Sequence, residues 1–145
     1  MKRYYIAYGS NLSETQMAYR CPTAKVVGTS MLNDWRLLFD GPASIERKEG
    51  YNVPVLIWDI QPADEKSLDR YEGYPNYYRK EMLEIEINGE TEEAMVYIMN
   101  TKGECPPTLH YYNILKAGYE AFGFDKKILE KALIESWEKK NEYVS

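Results

Sequence analysis

Tyr4-Tyr5-Ile6-Ala7-Tyr8-Gly9-Ser10-Asn11-Leu12 is the stretch from which the rest of the chain is read. Its first five residues form a short apolar run with the aromatic and branched side chains of a β-strand. The run ends at Gly9, which has no Cβ to keep a ligand away from the backbone. Ser10 and Asn11 follow with short polar side chains that fix neighbouring backbone N–H groups. A strand ending in such a loop offers an anion nest or an oxyanion hole. Taken alone, such a stretch is more often only a turn.

Outward from this stretch, Ser13-Glu14-Thr15-Gln16 carries a capping pattern and predicts a short helix to about Arg20, stopped by Cys21-Pro22. Residues 24–39 read as two strands around a turn at Asn33-Asp34, with Val26, Val27, Met31, Leu32, Trp35, Leu37 and Phe39 as the apolar set. Ala43 to Glu46 and Val53 to Ile60 read as two further strands, the second alternating at Val53, Val55 and Ile57. Pro62 to Glu72 predicts a helix, with proline early and Gly73 just past its end. Tyr77 to Ile87 and Glu92 to Met99 are strands joined at Asn88-Gly89, a strong hairpin signal. Thr108 to Phe122 is a helix with Tyr111, Leu115, Gly118, Tyr119 and Phe122 inward. Asp125 caps a last helix that turns Ile128, Leu129, Ala132, Leu133 and Trp137 to the core. The charged stretch 139–145 is expected as a frayed tail. The pattern predicts an α+β fold: a mixed or antiparallel sheet curled toward a small barrel, with flanking and C-terminal helices. At 145 residues the chain is expected to form a single domain, 1–145.

Composition narrows the function. A net charge of −5 with dispersed basic residues argues against nucleic acid or an anionic membrane as partner. Cys21 and Cys105 make no disulfide framework, and with His110 alone there is no zinc cluster in prospect. Lys2 and Arg3 imitate the start of a signal peptide, but the apolar run after them stops at Gly9, short of the ~7–15 residues required. A cytoplasmic location is the expectation. Fourteen tyrosines against three phenylalanines suit a cavity lined by apolar rings with polar tips, or reflect no more than a habit of composition.

Glu72 is the second informative residue. It lies four residues after Leu68 on the predicted helix and so shares that residue's inward face. It also sits at the negative end of the helix dipole. Both burial and the dipole disfavour a carboxylate and raise its pKa, which prepares it to accept and return a proton near neutral pH. An exposed last-turn glutamate is the plain alternative.

Together these residues resemble a known family. Tyr8-Gly9-Ser10-Asn11-Leu12 is similar to the signature loop of the γ-glutamylcyclotransferase-like family, which includes the AIG2-like proteins. Arg20-Cys21-Pro22-Thr23-Ala24 with Val27-Gly28, then Leu68-Asp69-Arg70-Tyr71-Glu72-Gly73, resemble its next two motifs. Tyr78-Arg79 and the Pro107, Tyr111 and Gly118 positions resemble later ones, so that the likeness runs over about residues 4–120. The chain departs from the family at Val53-Pro54-Val55, where Pro54 points to an edge position or a strand start.

The resemblance implies an amine-releasing cyclotransferase of the lyase or acyltransferase class, acting on a small γ-glutamyl substrate without cofactor or metal. The substrate's α-amine attacks its own γ-carbonyl, and 5-oxoproline and an amine leave. Glu72 is then the catalytic acid/base, and Tyr8, Gly9, Ser10, Asn11 and Leu12 form the substrate-holding loop. Tyr78 and Tyr111 complete the expected substrate-binding set, with 41–52 and 100–107 as candidate rims. The cysteines read as inert thiols. A non-catalytic binding module that kept the pocket, or a hydrolase of the same amide, stays open at this point. So do the leaving group and the oligomeric state, a homodimer included.

Overall fold

The N-terminal apolar run becomes β1 (Arg3–Ala7), the middle strand of a five-stranded sheet. The computed structural model describes residues 2–101 and 103–144, with residues 143 and 144 as backbone alone. After β1 come a single 3₁₀ turn (Ser10–Leu12), α1 (Glu14–Arg20), β2 (Lys25–Phe39), β3 (Ala43–Ile60) and α2 (Pro62–Glu72). β4 (Tyr78–Ile87), β5 (Glu90–Met99), α3 (Leu109–Phe122) and α4 (Lys126–Val144) complete the order. The strand order is β2-β3-β1-β5-β4. β1 runs antiparallel to β3 and parallel to β5, so the sheet is mixed. It curls until its two edge strands meet: the Ser30 hydroxyl on β2 donates to the Glu86 carbonyl on β4 at 2.6 Å. The expected α+β fold is the one observed.

Local signals placed most elements. The Asn88-Gly89 turn has both residues at positive φ, 52° and 84°, as a tight hairpin turn between twisted strands requires. Gly73 ends α2 in the left-handed region at φ 63°, and a Cβ there would lie 2.6 Å from the Tyr77 ring. Thr108 and Asp125 accept from the backbone N–H groups of Tyr111 and Lys127 at the starts of α3 and α4.

The long strands correct the sequence reading. Residues 24–39 are not two strands around Asn33-Asp34 but one, β2, which passes through an irregularity at Asp34. Likewise 43–46 and 53–60 belong to one strand, β3, whose register against β2 jumps between Arg47 and Asn52. There Asp34 (φ 64°) and Gly50 (φ 86°) adopt left-handed conformations, and the Asp34 carboxylate accepts the Gly50 N–H at 3.0 Å. Such a bulge bends a strand without ending it. Pro54 lies inside β3, yet pairing with β1 stops at Leu56. At Pro54 the described pairing is with Met31 of β2, so the missing N–H falls where the strand is locally an edge.

The core is built from both faces of β3 (Val53, Val55, Leu56, Ile57), of β1 (Tyr5, Ile6, Ala7) and of β5 from Ala94 to Met99, and from Leu68, Leu115, Tyr119, Leu129 and Ala132 of the helices. Val26 and Met31 of the apolar set are exposed, and no residue of β2 from Lys25 to Met31 is fully buried. Trp137 is also exposed, and Ser136 takes the buried place one position earlier. The stretch from 139 continues α4 as far as Val144.

The charges of α2 do not simply face solvent. Glu65 binds Arg3 of β1 and Lys80 of β4 at 2.9 and 2.6 Å. Asp69 takes Lys80 at 2.8 Å and the Tyr97 hydroxyl of β5 at 2.6 Å. Asp64 is buried, accepting from the Gln61 N–H and the Thr23 hydroxyl. α2 is thereby fastened across three strands, and its last residue, Glu72, is aimed by the sheet.

Candidate active site

A cavity of about 280 Å³ opens where β1 ends, between the Gly9–Leu12 loop and the last turn of α2. Tyr5, Tyr8, Gly9, Ser10, Asn11, Glu72, Tyr78 and Tyr111 line it, with Tyr71, Tyr97, Pro42 and Ala43 among the rest. Six of the fourteen tyrosines therefore face one space. Every predicted site residue except Leu12 is in the lining. Leu12 is buried beneath the loop against Gly118 of α3, and its contribution is to seat the loop. Of the two candidate rims, 41–52 contributes Pro42 and Ala43, whereas 100–107 contributes none of its described residues.

Glu72 is the one ionisable carboxyl in this lining, and it is half-buried. Burial pushes its pKa up to about 7, against the opposing pull of the Arg20 charge. Desolvation is the larger effect because, among the described residues, no cation or donor pairs directly with the carboxyl.

The tyrosine hydroxyls have different duties. Tyr8 donates to the Tyr97 carbonyl at 2.7 Å and Tyr78 to the Ala43 carbonyl at 2.9 Å. With their protons spent, these two present the cavity with rings and acceptor oxygens. Tyr111 is the reverse case: its oxygen accepts the Ala43 N–H at 3.0 Å, and the Ser10 N–H also faces it. A hydroxyl whose lone pairs are met by backbone N–H groups keeps its own proton for something else, and Tyr111 lines the cavity. Burial raises its pKa, so it stays a neutral donor. The loop is equally braced. Asn11 donates to the Tyr5 hydroxyl at 2.8 Å, its carbonyl accepts from the Trp58 indole at 3.1 Å, and Ser10 Oγ meets the Tyr71 hydroxyl at 2.9 Å.

Residues 5–120 match the model of a family described as gamma-glutamyl cyclotransferase, AIG2-like. The chain belongs to that family. Curated gamma-glutamylcyclotransferases resemble it at 27% identity in human, over 88% of this chain and 75% of that one, and at 26% in mouse, with the same coverage. A solved structure titled gamma-glutamyl cyclotransferase superposes with a TM-score of 0.81 at 24% identity, over 91% of this chain and 86% of that one. Membership of the gamma-glutamyl cyclotransferase family supports a cyclotransferase function. Among the described residues no helix is long and apolar enough to cross a membrane.

Three tyrosines of the lining escaped sequence reading. Tyr5 and Tyr97 come from adjoining strands and Tyr71 precedes Glu72 on α2, so only the folded sheet brings them together. Their one advance sign was the tyrosine surplus. The cysteines lie elsewhere: Cys21 is buried, with burial pushing its thiol up to about 11, and Cys105 contacts Asp40. His110 is exposed on α3.

Gly9 has φ −122°, so a left-handed turn is not its reason. A Cβ there would lie 3.2 Å from the Tyr111 hydroxyl and 3.6 Å from Ala43 Cβ. Gly9→Ala is expected to shift Tyr111 by a few tenths of an ångström and lower kcat/KM by about 10-fold, with a melting temperature near that of the parent. A large thermal loss with unchanged kcat/KM would assign Gly9 to folding alone.

Proposed function

We propose that the protein cleaves a γ-glutamyl amide by attack of the substrate's α-amine on its own γ-carbonyl, releasing 5-oxoproline and an amine or amino acid. The observation that carries this reading is Glu72: a desolvated carboxyl with a pKa near 7, in one cavity with the loop backbone of Gly9, Ser10 and Asn11. An α-ammonium with pKa ~8 and a solvated glutamate at ~4.3 exchange protons poorly, and raising the acid to about 7 nearly matches them.

The protons balance around Glu72. Ionised, it takes a proton from the α-ammonium, and the freed amine attacks the γ-carbon. The α-nitrogen sheds a second proton as it becomes the ring amide. The leaving nitrogen gains both and departs as an ammonium, and Glu72 is ionised again. The Gly9 and Asn11 N–H groups of the loop and the Tyr111 hydroxyl supply donors for the oxygen that turns anionic in between, each such donor typically contributing roughly 3–4 kcal/mol in the transition state. Holding the substrate bent, amine against carbonyl, is the remaining contribution.

A panel of γ-glutamyl amino acids, dipeptides and amines, assayed for 5-oxoproline, tests the proposal. Free glutamate in its place indicates a hydrolase, and binding without either product indicates a pocket kept without chemistry. A pH profile adds a second measurement. Because Glu72 must be ionised to act and its pKa is raised, kcat/KM is expected to fall on the acid side with a midpoint near 7. Below that midpoint it should drop about tenfold for each further pH unit. A limb near ~4.3, the value of a solvated glutamate, would contradict the role of the buried carboxyl.

A further inference from the structure

Arg20 ends α1 and lies outside the cavity lining, yet its guanidinium joins the two parts of the cavity wall. One nitrogen donates to Asn11 Oδ1 in the loop, and another reaches Gln16 Oε1 at 3.3 Å. Its plane lies over the Tyr71 ring, 3.4 Å from the ring centroid, one residue before Glu72. Asn11 passes the restraint on to Tyr5, and Tyr71 passes it on to Ser10. We propose that Arg20 is a positioning residue of this site, clamping the Gly9–Leu12 loop to the last turn of α2 and holding Glu72 in register with the loop backbone.

The planar fork suits both contacts at once. A guanidinium can stack on a ring while its edge donates in its own plane, which a lysine ammonium cannot do. Among the described residues the clamp is also the only cation acting on the carboxyl. The groups that face Glu72 from the packed elements are Tyr5 of β1, Tyr8, Tyr78 of β4, Tyr111 of α3 and Arg20 of α1. The four tyrosines are held neutral, since burial raises the pKa of each. Arg20 therefore opposes burial and keeps Glu72 from drifting further above neutrality. Two effects, one geometric and one electrostatic, reside in one side chain and can be separated by substitution.

The kinetic part of this inference rests on the cyclotransferase reading; the titration part does not. The experiment compares the parent, Arg20→Gln and Arg20→Lys, each checked by thermal melting. Glu72 is titrated by NMR of carboxyl-labelled glutamate, its resonance assigned from its absence in Glu72→Gln. In parallel, kcat/KM is measured against pH on the best γ-glutamyl substrate. In Arg20→Gln both the Glu72 midpoint and the acid limb of kcat/KM should move upward. Arg20→Lys keeps the charge and loses the fork, so its midpoint should stay near the parent's while kcat/KM falls about 10- to 10²-fold. A folded Arg20→Gln with an unmoved midpoint, or Arg20→Lys with parent kcat/KM, overturns the proposal. If Arg20→Gln does not fold, Arg20→Lys alone decides through its kinetics. A parent that forms no 5-oxoproline defeats the cyclotransferase reading, while the titration still decides whether Arg20 governs Glu72.

Discussion

Glu72→Gln is expected to lower kcat by about 10² to 10⁴-fold on any γ-glutamyl amide the parent cyclises, with the fold intact. The amide keeps the size of the carboxyl but can neither take nor return a proton. Stability should move the opposite way. Folding raises the pKa of Glu72 from ~4.3 to about 7, so between those values the folded chain binds more protons than the unfolded one. Stability is therefore lost as pH rises through this window, by a few kcal/mol at most. Glutamine removes that penalty, and the variant should melt higher than the parent at pH 8 and nearly alike at pH 5. Such an exchange of stability for function is what a carboxyl kept in a desolvated place leads one to expect. A folded Gln variant with near-parent kcat would take the acid/base role away from Glu72.

The parts of this molecule legible in its sequence are those whose causes are local. Gly73 after Glu72, Asn88-Gly89 between alternating residues, and Asp125 before an apolar periodicity each act within a few residues, and each sits where expected. The place of Glu72 in the cavity wall follows from its distance from Leu68, which sets its helical face. What could not be read depends on distant partners. Asp34 looks like a turn residue, and only pairing with β3 makes it a bulge in a longer strand. Glu65 and Asp69 look solvated until Arg3, Lys80 and Tyr97 arrive from three strands of the sheet. Arg20 looked like the end of a helix, and its meaning comes from Asn11 and Tyr71, far apart in the chain. Leu12 belongs to the stretch that resembles the signature loop, yet it faces away from the cavity, onto α3.

That last contact sets the second large effect. Gly118 is buried on α3, and a Cβ there would stand 2.7 Å from Leu12 Cβ and 3.3 Å from its Cδ1. Two effects compete in Gly118→Ala. Alanine in a helix interior stabilises by about 0.8–1 kcal/mol relative to glycine. Overpacking a filled core typically costs about 1–3 kcal/mol. The obstructing atom decides between them: Leu12 Cβ is fixed to its backbone and has no rotamer that moves it aside, so backbone must shift and the cost prevails. The backbone that shifts is the 3₁₀ turn Ser10–Leu12, directly after Gly9. Gly118→Ala is therefore expected to melt several degrees lower and to lose about 10- to 10²-fold in kcat/KM, although the substitution lies outside the cavity. Melting curves and kinetics on the same preparation test both halves. A higher melting temperature with parent kinetics would mean that Leu12 yields freely and that the seat beneath the loop does not hold it.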